Sequence, residues 1–207
     1  MYKVIATGST GNAVLYFGSI LVDCGVPYSK LKPYINDIQL VLLTHEHGDH
    51  FIRSTVERLT ESRPTLRIGC GPWMKDLVKG IKNVDFYQIG EVYDYGIFQI
   101  TAVKLYHDVP NCGYRIFKDG FKVLHATDTA HLQGVAAKGY DLYAVEHNYD
   151  ADTIDEAIAA KQAAGEYAYQ KGAVNSHLSE QQASEFIYRN RSVNSQTLRL
   201  HEHNNSL

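Results

Sequence analysis

The stretch Leu40–His50, LVLLTHEHGDH, constrains this chain more than any other. Its unbroken apolar run reads as a strand leaving a core. The run ends in three histidines, a glutamate and an aspartate within six positions. Burying such groups without partners is costly, and a solvated loop has no need of their spacing, so the packet has to serve some charge that the chain itself does not supply. His45, His47, Asp49 and His50 form the pattern HxHxDH. Imidazole nitrogens and carboxylate oxygens suit zinc, iron or manganese. A short loop can aim His45 and His47 at one ion and turn back so that Asp49 and His50 reach a second. Two ions a few Å apart can hold a shared hydroxide. A helical HExxH zinc site is excluded, because Asp49 stands where its second histidine is needed.

The remaining organisation is that of an α/β protein. AVLYF (13–17), SILVDCG (19–25), LVLLTH (40–45), TLRIG (65–69), GIFQITAV (96–103), GYRIF (113–117), FKVLHATD (121–128), DLYAVEHN (141–148) and TLRLH (197–201) are β-branched or aromatic runs bounded by turn residues and predict strands. Helices are predicted over 71–81, 150–170 and 178–190, the last with Ser179 as N-cap and Gln181 and Gln182 close behind it. Helices interspersed among many strands imply a sandwich in which helices cover sheet faces. Thr44–His50, His107, Thr127 and Asp128, Glu146–Asn148 and His201–His203 all follow strand signals, and strand-end loops are where a scaffold presents its chemistry.

Composition narrows the class further. With 207 residues, 44% of them hydrophobic and 21% charged, one globular domain spanning 1–207 is expected without disulfide staples. Cys24, Cys70 and Cys112 are odd in number and form no CxxC pair, as expected of reduced thiols in a cytoplasmic protein. No signal peptide or membrane-length apolar stretch is visible. A net charge of −3 provides no global basic field, so contact with nucleic acid would have to be local.

Taken together, these motifs resemble the metallo-β-lactamase fold superfamily. HxHxDH matches its signature, Asp23 in LVDCG its upstream aspartate, His107 in LYHDVPNCGYRI its third motif and Asp128 in HATDTAHL its acidic bridging position. The resemblance runs from ATGSTGN to LHEHNN, nearly the whole chain. It implies a four-layer αβ/βα sandwich with a dinuclear metal site. By carry-over His45, His47 and His107 hold one divalent ion, Asp49, His50 and a C-terminal histidine the other, and Asp128 bridges them. His201, directly after a strand, is preferred to His203 for the C-terminal ligand. Zinc is the favoured metal, with manganese and iron as alternatives.

Asp128 in place of cysteine points away from the antibiotic-hydrolysing branch. GSTGN (8–12), VEHNYD (145–150) and NSHLSEQQA (175–183) resemble the YycJ/WalJ-like branch of phosphodiesterases and exonucleases. The implied reaction is hydrolysis of a phosphodiester, DNA and RNA included, by a metal-bridging hydroxide, with Asp49 orienting the water or accepting its proton and His177 contacting the scissile phosphate or protonating the leaving oxygen. The competing readings are hydrolysis of a thioester, lactone or amide on the same metals, and a metal- or nucleotide-binding module without activity. His125 is expected to be packed or to support a metal ligand, His131 to cap or line the loop after Asp128, and Glu146 to accept a hydrogen bond from a metal-bound imidazole. Most of the 15 tyrosines are expected to fill half-buried sheet faces, although Tyr106, Tyr114 and Tyr149 fall near the predicted site.

Overall fold

The structure is a computed structural model and describes residues 1–165 and 170–202. It divides into two compact units, Met1–Glu91 and Val92–Leu207. Each is built on one six-stranded sheet.

In the first unit β1 (Tyr2–Ala6), β2 (Ala13–Tyr16), β3 (Ile20–Val22), β4 (Leu40–Leu43), β5 (Arg67–Cys70) and β6 (Val84–Phe86) lie in chain order. The first three pair antiparallel and the rest are added parallel. β3 and β4 are buried at every residue, as strands covered on both faces must be, and this explains their unbroken apolar runs. Between them comes the short helix α1 (Tyr28–Leu31). A second helix, α2 (Arg53–Ser62), was not evident from the sequence. It buries Thr55, Val56 and Leu59 on one face, with Val56 and Leu59 in the same core as Val41 and Leu43.

The helix predicted over 71–81 does not form. A 3-10 turn at Pro72–Met74 is followed by further turns. Met74 and Val78 are both buried, so the four-residue spacing is used, but by successive turns. The Trp73 ring folds back over Gly71, where a Cβ would lie 2.2 Å from the indole.

In the second unit the sheet order is β12-β11-β10-β9-β8-β7. β7 (Val92–Asp94), β8 (Gln99–Tyr106), β9 (Pro110–Lys118) and β10 (Phe121–Ala126) form an antiparallel meander. β11 (Leu142–Glu146) and β12 (Gln196–Leu200) extend it in parallel. Asp119 and Gly120, both at positive φ, make the two-residue turn between β9 and β10, the geometry whose twist matches that of the flanking strands.

The segment predicted as one helix over 150–170 contains α3 (Ile154–Ala163), which stops before Gly165 at φ 69, and the start of α4 (Gln170–Ser176). Residues 166–169 lie outside the described residues. α5 (Glu180–Asn190) begins where expected: Ser179 accepts from the Gln182 amide and the Gln182 side chain accepts from the Ser179 amide. Its Ala183 and Ile187 pack with Leu124, Tyr143 and Val145. The three cysteines are buried, and among the described residues none forms a disulfide. Burial, aided by the charge of Asp85, pushes the Cys70 thiol up to about 12. Among the described residues no helix is long and apolar enough to cross a membrane.

Candidate metal centre

The HxHxDH loop of the first unit is held from below by the residues that end β3 and β4. Asp23 follows β3 at φ 63, a left-handed conformation that aspartate tolerates better than most residues. Its Oδ1 accepts from the Thr44 amide at 2.9 Å and the Thr44 hydroxyl at 3.0 Å, while its Oδ2 lies 2.7 Å from His50 Nδ1. The carboxylate can only accept there, so Nδ1 carries the His50 proton and Nε2 is the basic nitrogen. Thr44 spends its proton on Asp23, and its oxygen therefore accepts from His45 Nδ1 at 2.9 Å. His45 is thereby also fixed with a basic Nε2.

Backbone straps close the loop. The Asn12 amide donates to the Asp49 carbonyl at 2.7 Å and the Cys24 amide to the His50 carbonyl at 2.8 Å. Gly25 packs so tightly beneath that a Cβ on it would lie 1.7 Å from the Asp49 oxygen. His45 and His50 are buried, whereas His47 and Asp49 are partly exposed and Glu46 is exposed. The His45 ring centroid lies 4.8 Å from that of His47 and 4.2 Å from that of His50, and Asp49 Oδ2 lies 3.5 Å from His50 Nε2. The four residues of the motif thus lie close together.

Asn12 is a member of this cluster that sequence reasoning did not single out. Its Nδ2 lies 2.8 Å from His50 Nε2, and its Oδ1 accepts from the Gly8 amide at 2.9 Å. The GSTGN segment is consequently a turn tied by its own asparagine. The Gly8 and Gly11 amides are both spent inside it.

In the second unit the polar residues come from separate strand ends. His107 follows β8, Asp128 follows β10, Glu146 ends β11, His201 follows β12, and His177 sits between α4 and α5. Asp128 and His201 both take left-handed φ, 55 and 48. Asn111 holds the Thr127 and Asp128 carbonyls at 3.1 and 2.6 Å, fixing the turn that aims Asp128. Asp128 Oδ1 lies 2.7 Å from His201 Nδ1 and accepts from the Thr127 hydroxyl at 2.6 Å.

Glu146 is fully buried. Its Oε1 lies 2.5 Å from His177 Nδ1, and its Oε2 accepts from the Thr129 amide at 3.0 Å and the Leu178 amide at 3.3 Å. Its imidazole partner is His177, with His201 Nδ1 farther off at 3.7 Å. Burial pulls the pKa values of His177 and His201 down. The carboxylates they face, Glu146 for His177 and Asp128 for His201, outweigh burial and leave both raised. His125 is packed within β10 as expected.

Asp128, Glu146, His177 and His201 each bring one potential ligand atom within 4.8 Å of one another. His107 adds to the cationic demand. Its Nδ1 donates to the Ser176 carbonyl at 2.9 Å, which turns Nε2 towards Asp108 Oδ1 at 3.0 Å and Asp128 Oδ2 at 3.9 Å. A ring nitrogen facing carboxylates calls for positive charge between them, which a proton or a metal ion can supply. Nitrogen and carboxylate donors of this kind fit a divalent ion of the zinc, manganese or iron type. His203, the alternative C-terminal ligand, lies outside the described residues.

Comparison with known proteins agrees with this chemistry. The chain belongs to the β-lactamase superfamily, whose domain profile matches residues 19–190. It is 27% identical over 173 residues to exodeoxyribonuclease YycJ of Bacillus anthracis, covering 74% of this chain and 64% of that protein, so it spans less than two thirds of that relative's length. A UPF0173 metal-dependent hydrolase of Thermococcus onnurineus is 31% identical over 140 residues, 62% of each chain. Among solved structures, the metallo-β-lactamase fold protein YhfI of Bacillus subtilis matches with a TM-score of 0.74 at 19% identity, covering 100% of this chain and 87% of its own. The short form of human tRNase Z matches with a TM-score of 0.71 at 18% identity, covering 97% and 92%. The two-sheet mixed α/β architecture is therefore that of the metallo-β-lactamase fold, which implies divalent metal binding.

Proposed function

We propose that this chain is a metal-dependent phosphodiesterase acting on nucleic acid, with His45, His47, Asp49, His50, His107, Asp128 and His201 as its metal ligands. The observation that carries the reading is the pairing of His177 with the buried Glu146, within ligand distance of Asp128 and His201. It puts a held proton donor beside a cluster of metal donors. Divalent ions bound by these residues supply Lewis acidity and neutralise charge on the phosphoryl oxygens. Asp49 accepts the proton of the attacking water. His177, its Nδ1 committed to Glu146, delivers the proton on Nε2 to the leaving oxygen as the P–O bond breaks and is left as neutral imidazole. General acid catalysis of this kind contributes about 10²–10⁴-fold in rate. The exodeoxyribonuclease relatives support a polynucleotide substrate.

The test is hydrolysis of bis-p-nitrophenyl phosphate by protein loaded with zinc or manganese, compared with the Asp128→Ala and His47→Ala variants. Elemental analysis should find close to two ions per wild-type chain, and both variants should lose turnover while keeping wild-type circular dichroism. Unchanged turnover in both variants would rule the mechanism out.

A further inference from the structure

Beside His107 and Asp128 lies an aromatic pair that hydrolysis alone leaves without a task. The rings of Tyr106 and His131 stack with centroids 4.1 Å apart and planes tilted by 35°. Lys104 Nζ stands 4.9 Å over the Tyr106 ring. Alternation along β8 sends Val103 and Leu105 into the hydrophobic core and turns Lys104 and Tyr106 the other way. Tyr106 keeps 37% of its surface exposed, in contrast to Tyr16, Tyr87, Tyr114 and Tyr143, which are fully buried packing residues.

The pair is rigidly fastened to the donors. The Tyr106 amide donates to Thr129 Oγ1 at 3.0 Å, and the same hydroxyl donates to the His131 carbonyl at 2.9 Å. The Ala130 amide donates to the Tyr106 carbonyl at 2.7 Å. The Thr129 amide reaches Glu146, the residue that holds His177. Thr129, next to Asp128, thus ties the backbones of Tyr106 and His131 to the proton donor's support. Two stacked, partly exposed rings with a lysine over one of them suit a flat unsaturated ring attached to a phosphate, which is the chemistry of a nucleotide.

We propose that Tyr106 and His131 form a stacking platform for an unpaired nucleobase and that Lys104 meets an adjoining phosphate, so that the preferred substrate is single-stranded nucleic acid. This deepens the phosphodiesterase reading and rests on it. Stacking tolerates any base, because every base has a π face, so the platform selects strandedness and not sequence.

Binding can be measured apart from cleavage, by fluorescence anisotropy of the full chain in chelator at low salt, with a labelled oligothymidylate and an abasic strand of equal length as probes. Wild type should bind the base-bearing strand more tightly. Tyr106→Ala and His131→Ala should each weaken it about 5- to 100-fold and leave the abasic strand unchanged, whereas Tyr106→Phe should keep wild-type affinity. Equal affinity of wild type for the two probes, equal losses on both, or a Tyr106→Phe loss as large as that of alanine would overturn the platform. Base-selective binding in a metal-loaded enzyme that cleaves neither single strands nor bis-p-nitrophenyl phosphate would uphold the platform and overturn the hydrolytic reading.

Discussion

In the first unit four candidate ligands come from one loop of six residues. In the second, His107, Asp128 and His201 arrive from three strand ends, with His177 from an interhelical turn. The two regions fix their imidazoles by different means. The loop is held mainly by backbone and packing, through the straps from Asn12 and Cys24, the close approach of Gly25 and the Asp23–Thr44 base. In the scattered set Glu146 orients His177 and joins it to Thr129 and Leu178, Asp128 pairs with His201, and the Ser176 carbonyl sets His107.

Glu146→Gln should break the second arrangement most severely. It keeps the volume and removes the charge that orients His177, so kcat should fall about 10²–10⁴-fold while metal content by elemental analysis stays at the wild-type level. A wild-type kcat would mean that the carboxylate does not set the imidazole. Gly25→Ala attacks the first arrangement through packing alone. Because the added methyl would collide with the Asp49 carbonyl, thermal unfolding should report a loss of about 3 kcal/mol, the upper end of overpacking costs. An unaltered midpoint would show that the loop can shift freely.

Asp23→Asn sharpens the contrast, since it touches the one carboxylate on which the loop depends. Zinc affinity from competition with a chelating dye should fall about 10–100-fold, and no change would mean that backbone straps suffice to aim His50. The smallest effect belongs to a position outside both sets. Ser179→Ala should cost about 1 kcal/mol in urea unfolding by removing the cap of α5, with activity retained.

The same contrast governs what could be read from the sequence. HxHxDH is legible because its donors are neighbours and follow an apolar run. His107, Asp128 and His201 were found by their places after strand signals together with the resemblance to a known superfamily. Asn12 and the Glu146–His177 pair were harder, since each depends on contacts 31 or more residues apart that no local pattern encodes. β6 and β7 were missed because three-residue strands with partly exposed side chains carry little alternation. α2 was missed because only Val56 and Leu59 mark its apolar face. The capping box of α5 was legible because its partners lie three residues apart.

Asp23, Asp128 and His201 share a backbone state that valine, isoleucine or threonine could adopt only with strain on the order of 1–2 kcal/mol. Glycine could adopt it freely but brings no donor atom. Aspartate, asparagine and histidine are the side chains that tolerate this conformation best and also carry polar groups able to bind. Substitution at these three positions therefore meets two filters at once, one conformational and one chemical, and few residues pass both.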